Sequence, residues 1–476
     1  MITRTIFDWA GRTPGRTAAV FDGRPLSYRA FSDRIAAARG YFARRGYAGG
    51  GVAVVAVVNL LDSWMLSLAL RSLGFTTFAI DPTQPDALAG LIGVRLVACT
   101  AAASPELERF SAAAGCEILR VSLDGEIPLD LKTEDGVDGG QILRTSGTTG
   151  AYKFVLITSQ IDQVSADFTR RALGADQQSL INVFSFGAWT GVGYRFPAMA
   201  WIIGAGVVFR QSGRFEDSMI EPGVTHAVLI PELLTRILAT PLGAFPRREA
   251  LRLAVGGGPM AHAQIEQAKA RITPDLHNLL GATEAGIMAF TALKNPEDCR
   301  WQTIAPGRLV EIVDEKGRTL PAGKVGRVRV GVAGWPNAYL HDEAATRAAF
   351  ADGYFYPGDL GVLREDGRLA LHGRVTDVIN VNGHKLSPAP IEARLRDALS
   401  VSDLCLVTAQ DAGGEEQAYL VIESTTPIAE ATLAQAVSRE LPRLGQICVQ
   451  FVAALPRNEM GKIMRQAVTA RVLGEG

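Results

Sequence analysis

Residues 144 to 155 read Arg144-Thr-Ser-Gly-Thr-Thr-Gly-Ala-Tyr-Lys-Phe-Val155. The hydroxyls of Thr145, Ser146, Thr148 and Thr149 are interleaved with Gly147 and Gly150, and Lys153 follows. Glycine lets backbone N–H groups curl around an anion, hydroxyls add donors, and lysine adds a point charge. The segment therefore suits phosphate. It is not the GxxxxGK[ST] loop of common NTPases, because its spacing is Gly147-x-x-Gly150-x-x-Lys153. Taken alone, the composition suits a solvated Ser/Thr/Gly linker equally well.

TSGTTGAYKFV closely resembles the TSGTTGxPKGV signature of the adenylate-forming superfamily: acyl- and aryl-CoA synthetases, adenylation domains and firefly-type luciferases. Further segments resemble that family's motifs in the same order. Gly256-Gly257-Gly258-Pro259 matches its adenine-side turn, and Leu280-Gly281-Ala282-Thr283-Glu284 resembles YGxTE. Tyr354-Phe-Tyr-Pro-Gly358-Asp359 resembles YxTGD. Residues 373 to 385, Gly373-Arg374 through Gly383-His-Lys385, resemble GRxDDxIxxxGxR. Pro456 to Ile463, with Gly461-Lys462, resembles PxTxxGKI. The likeness runs from residue 144 to the C-terminal segment, and the first 140 residues add only a compatible α/β pattern.

The resemblance implies an enzyme that joins a carboxylate to the α-phosphate of ATP, expels pyrophosphate, and passes the acyl group to a thiol. That chemistry needs the triphosphate held, Mg²⁺ bound, and charge at the α-phosphate neutralised. The loop from Thr145 to Gly150 with Lys153 would hold the phosphates. Glu284 is the expected Mg²⁺ ligand, a hard carboxylate oxygen. By local pattern alone, residues 278 to 286 would equally begin a helix. Asp359 would accept from the ribose hydroxyls with Arg374 assisting; a turn residue after Gly358 is the plain alternative. Lys462 would contact the reacting carboxylate and α-phosphate, although most lysines so close to a C-terminus are merely solvated. From Arg439 onward there are six basic and three acidic residues, a local excess suited to phosphate. Gly257, Gly258, Pro259, Gly281, Ala282 and Thr283 complete the expected nucleotide site.

The family rotates a small C-terminal domain between its two half-reactions. The pivot falls at Thr376, where the family usually has Asp or Lys, and Gly383 would then let a thiol arm pass bare backbone. The acid pocket is expected in residues 182 to 195, NVFSFGAWTGVGYR, with Ser185, Phe186, Trp189, Gly256 and Leu280 lining it. Leu280 replaces the family's aromatic. Ser185 stands where amino-acid-activating relatives place an Asp, and the window contains no carboxylate. A buried ammonium without a counter-ion is costly, so an aryl or short-to-medium acyl acid is expected and an α-amino acid is not. The leading acceptor is coenzyme A. A stand-alone enzyme loading a carrier-protein phosphopantetheine is the alternative, and a degenerate nucleotide-binding regulator is the non-enzyme reading. Retention of Glu284, Asp359, Arg374 and Lys462 together argues against the last.

The elements that must position these residues follow an α/β texture. Runs such as residues 51–58, 96–98 and 227–230 read as strands buried on both faces, and residues 27–45 and 63–73 as helices between them. Mostly parallel layered sheets are expected. Near residue 305 the pattern becomes a meander of short antiparallel strands. After Arg374 a fresh α+β unit begins, which suggests a large domain over residues 1–374 and a small mobile one over 375–476. The chain has 476 residues, 47% hydrophobic and 20% charged, with a net charge of −1. This excludes a disordered chain and a general nucleic-acid binder. Five scattered cysteines suggest reduced thiols and a cytoplasmic protein. No apolar leader is apparent at the N-terminus. The uncharged stretch from Phe196 to Phe209 is too short for a membrane span and reads as a buried helix or strand.

Overall fold

The computed structural model describes every residue except 1, 123–137, 147–151, 185, 212–214, 242–245, 382–383, 411–415, 425, 427, 442–446, 458–461 and 473–476. The chain groups into two compact units. The first comprises residues 1–228, 281–287 and 332–355, and the second residues 229–280, 288–331 and 356–476. The boundary expected at residue 374 falls inside the second unit and stays a proposal.

The first unit contains a six-stranded sheet. Its order is Glu117–Arg120, Val94–Cys99, Val52–Ala56, Thr76–Ile80, Gln141–Ser146 and Tyr152–Ile157. The first five strands run parallel, and the last returns antiparallel. Ala53 to Ala56 are all buried, as expected of a strand covered on both faces. A second set of parallel strands joins Leu180–Asn182, Gly206–Phe209 and Thr17–Phe21, with Arg24–Ser27 antiparallel at the edge. Between two of them lies the helix Gly191–Ile203, capped by Thr190, whose Oγ1 accepts from Gly193 N at 2.9 Å. The uncharged stretch from Phe196 thus supplies both a helix and, after Gly204, a strand. Asn59 caps the helix Leu60–Ser72 in the same way.

In the second unit Arg252–Gly256 pairs in parallel with Leu276–Ala282. The expected meander is present: Val310–Val313, Gly326–Gly331, Asp359–Leu363 and Leu369–Arg374 pair antiparallel in succession. Beyond it lies a small α+β domain. Its sheet places Glu416–Glu423 between Asp403–Gln410 and Ile447–Val452. Leu395 and Leu399, from the helix Pro388–Leu399, bury against Leu404, Leu406, Leu420 and Ile422. The architecture is the α/β fold with a small C-terminal domain that the sequence pattern implies. Among the described residues, no helix is long and apolar enough to cross a membrane.

Candidate active site

In the first unit, antiparallel pairing sets Thr145 opposite Lys153 and Ser146 opposite Tyr152. Gly147, Thr148, Thr149 and Gly150 lie outside the described residues. The backbone N–H of Leu340 donates to Phe154 O at 2.8 Å, which ties residues 339–340 to the strand carrying Lys153. Lys153 Nζ consequently sits over the Tyr339 ring, 5.0 Å from its centroid. Tyr339 Oη donates to Glu284 Oε1 at 2.7 Å. One tyrosine therefore touches both the cation and the carboxylate that the motifs single out. Glu284 is only 7% exposed.

Glu284 stands in a turn between the strands Leu276–Ala282 and Gly286–Ala292, so the helix start that residues 278–286 also allowed does not form. Glycine makes this turn. A Cβ on Gly281 would lie 2.7 Å from Gly286 O, and Gly286 has φ +65°. Ala282 and Thr283 are half-buried within the turn. Arg195, which the sequence reading used only to close its window, meets this turn directly. Its Nη2 donates to Thr283 O at 2.6 Å, and its Nη1 to Ser165 Oγ at 2.8 Å.

The expected acid window is partly described. Asn182 is fully buried, and its Oδ1 accepts from Phe184 N at 2.8 Å. This holds Phe184 at φ +53°, a backbone conformation that costs a non-glycine residue energy and concentrates at functional segments. Ser185 lies outside the described residues. Phe186 and Trp189 are half-buried. The Trp189 ring folds over Gly187, where a Cβ would lie 2.2 Å from it. Part of Trp189 packs on the core cluster containing Phe78, Ile142 and Phe154. The Arg144 guanidinium lies 4.7 Å from the Tyr152 ring centroid and 5.9 Å from that of Trp189, and Arg144 Nη2 donates to Gln84 Oε1 at 3.0 Å.

In the second unit Gly256 pairs with Leu279, and a Cβ on Gly256 would lie 2.9 Å from Leu279 O. Gly257 has φ +92°, so the turn into Gly258 and Pro259 requires glycine there. Leu280 is half-buried. Asp359 opens its strand opposite Arg374, with Oδ1 3.4 Å from Arg374 Nε. Burial raises the Asp359 carboxyl above its ordinary range, while the charges of Arg374 and Lys462 act in the opposite sense. Lys462 itself is exposed. Thr376 is exposed in the short helical turn Val375–Asp377, and its Oγ1 lies 3.3 Å from Asp377 Oδ1. Gly383 lies outside the described residues; the strands Ile379–Val381 and His384–Leu386 that flank it pair as a hairpin.

Among the described residues, no three His, Cys, Asp or Glu side chains gather into a metal cage. The donor set instead fits Mg²⁺, which commonly takes one or two carboxylates and fills its remaining positions with water and phosphate oxygens. Glu284, hydrogen-bonded by Tyr339, is a carboxylate of the kind such a site would use.

Comparison with known proteins gives the family and the fold. A 4-coumarate–CoA ligase-like protein of Oryza sativa subsp. japonica is 27% identical over 357 residues, covering 71% of this chain and 63% of that protein. The fatty acid–[acyl-carrier-protein] ligase ScoC of Streptomyces coeruleorubidus is 28% identical over 273 residues, covering 54% and 52%. The chain thus spans less than two thirds of the length of either relative. The solved structure of ATP-bound MatB from Rhodopseudomonas palustris matches with a TM-score of 0.85 at 20% identity, covering 99% of this chain and 98% of that one, a likeness of fold. The profile of AMP-binding enzymes matches residues 6–340, and the chain belongs to that family.

Proposed function

We propose that the protein activates a carboxylic acid with ATP to an acyl-adenylate, releases pyrophosphate, and transfers the acyl group to the thiol of coenzyme A. The observation that supports this reading is that Tyr339 contacts both Lys153, a cation suited to phosphate, and Glu284, a carboxylate suited to Mg²⁺. When bound, Mg²⁺ neutralises phosphate charge. Lys153 and the Thr145–Gly150 segment hold the β- and γ-phosphates, while Asp359, supported by Arg374, accepts from the ribose hydroxyls. Gly257, Gly258, Pro259, Gly281, Ala282 and Thr283 wall the nucleotide. Lys462 offsets charge between the attacking carboxylate and the α-phosphate. Ser185, Phe186, Trp189, Gly256 and Leu280 shape the acid pocket, and Gly383 passes the thiol arm after rotation at Thr376.

The test is ATP–pyrophosphate exchange across a panel of aryl, aliphatic and amino acids, followed by trapping with coenzyme A or a phosphopantetheinylated carrier protein. Acid-dependent exchange followed by a CoA thioester supports the proposal. Exchange followed by transfer only to the carrier favours the second acceptor, a reading supported by the likeness to ScoC. No exchange with any acid sinks both.

A further inference from the structure

Arg195 is 5% exposed and carries its charge into the first unit beside Glu284. Its guanidinium lies 5.0 Å from the Trp335 ring centroid, and its Nε is buried without a hydrogen-bond partner. Burial is the largest influence and pushes its pKa down to about 10, while Asp162, Tyr194 and Glu284 act the other way. At neutral pH the side chain remains a cation. A buried guanidinium is costly unless hydrogen bonds and negative charge offset its desolvation. Here they come from Ser165 Oγ, Thr283 O and the charges of Asp162 and Glu284.

The helix that bears Arg195 is locked in place at the preceding residue. Tyr194 Oη donates to Asp162 Oδ1 at 2.8 Å, and Asp162 Oδ2 accepts from Arg71 Nη2 at 2.8 Å. Arg71 Nε in turn donates to Gly139 O at 2.9 Å, and the Trp64 ring stacks on Tyr194 at 5.2 Å. The start of the same helix lies against the Glu284 turn, because a Cβ on Gly191 would approach Thr283 Oγ1 to 3.2 Å. The buried polar network therefore fixes the helix at Tyr194, and the next residue, Arg195, donates to the carbonyl immediately before Glu284.

We infer that Arg195 is a positioning residue for Glu284. It fixes the Thr283 carbonyl and offsets the Glu284 charge, and so holds the carboxylate in the geometry that meets a divalent cation. The inference rests on the reading of Glu284 as the Mg²⁺ ligand. Partners that orient a metal-binding carboxylate typically change metal affinity by about ten- to a hundredfold when lost.

The test is a double-mutant cycle on the full chain, read by electron paramagnetic resonance of Mn²⁺ binding in the presence of ATP and by the Mg²⁺ dependence of pyrophosphate exchange. Arg195→Met is expected to weaken Mn²⁺ binding about tenfold and to raise half-saturating Mg²⁺ similarly, with a smaller effect on exchange at saturating Mg²⁺. In a Glu284→Gln background the same change should alter Mn²⁺ binding less than about twofold, because the residue to be positioned is gone. Arg195→Lys keeps the charge without the planar fork and carries the same cycle should the Met variant not fold; a loss of about threefold is expected. Unchanged Mn²⁺ binding in both Arg195 variants, or an equal loss in both backgrounds, overturns the positioning role and leaves Glu284 as the ligand. Undiminished Mn²⁺ binding by Glu284→Gln alone overturns the ligand assignment and this inference together.

Discussion

Tyr339 contacts Lys153 through its ring and Glu284 through its hydroxyl, so the two functions separate in a single substitution. Tyr339→Phe keeps the ring beneath the ammonium but removes a hydrogen bond to a charged acceptor. Half-saturating Mg²⁺ in pyrophosphate exchange should rise about tenfold, with exchange at saturating Mg²⁺ far less affected. An unchanged Mg²⁺ curve would show that the hydroxyl does not orient Glu284. Lys462 belongs to the first half-reaction in our reading. Lys462→Ala should lower adenylate formation at least about a hundredfold and spare thiol transfer from a supplied acyl-adenylate. Equal loss of both steps contradicts the role. Asp359 adds a pH dependence whose sign follows from its environment. Burial raises its carboxyl, so on acidification it takes up a proton earlier than an exposed aspartate would. A protonated carboxyl is a poorer acceptor for ribose hydroxyls. The KM for ATP should therefore begin to rise, as pH falls, above the range in which an exposed aspartate takes up its proton, and Arg374→Met, which removes an opposing cation, should bring the rise to higher pH. A KM that stays flat down to the ordinary aspartate range speaks against this role.

At the scale of elements, the apolar runs marked several strands, because strands buried on both faces leave little room for polar residues. The run at residues 51–58 became Val52–Ala56, and the stretch 27–45 the helix Tyr28–Ala43. The Glu284 turn was not decided locally. Its strand is completed by pairing with Arg252–Gly256, a partner absent from the local pattern. Arg195 and Tyr339 were missed as functional residues for a related reason. Their contacts with Thr283 and Glu284 span separations of 88 and 55 residues, and neither residue belongs to one of the motifs that carry the family resemblance. The pivot at Thr376 is proposed from the family resemblance, and its test belongs to the element that holds it. Val375–Asp377 is a short helical turn with Thr376 at its centre. Thr376→Pro fixes φ at the pivot and also drives Val375 away from helical geometry. Thioester formation should fall well below adenylate formation in this variant. A normal coupled reaction would place the pivot elsewhere or remove the need for rotation.

For the whole molecule, a net charge of −1 provides no long-range field to gather anions, so charged substrates depend on local cations. In the first unit such cations are present: Arg144 lies near Trp189, Lys153 lies over Tyr339, and Arg195 closes the 182–195 segment, which itself contains no Asp or Glu. An α-amino acid would bring an ammonium to a segment that offers no counter-ion of its own, a placement that costs several kcal/mol in a desolvated site. Aryl or short-to-medium acyl acids with uncharged tails avoid that cost and can use the surfaces of Phe186 and Trp189. Pyrophosphate exchange should therefore favour them over free α-amino acids. Trp189→Ala should shift preference toward bulkier acids while changing the KM for ATP less than about twofold, because the phosphate-facing residues are untouched. The substitution also removes part of the packing around Phe78 and Phe154, at a stability cost of about 3 kcal/mol or less for a half-buried tryptophan, so the melting temperature is measured alongside. Robust exchange with α-amino acids, and none with aryl or aliphatic acids, would mean that a carboxylate outside the window supplies the missing counter-ion and that the pocket is not the one these residues form.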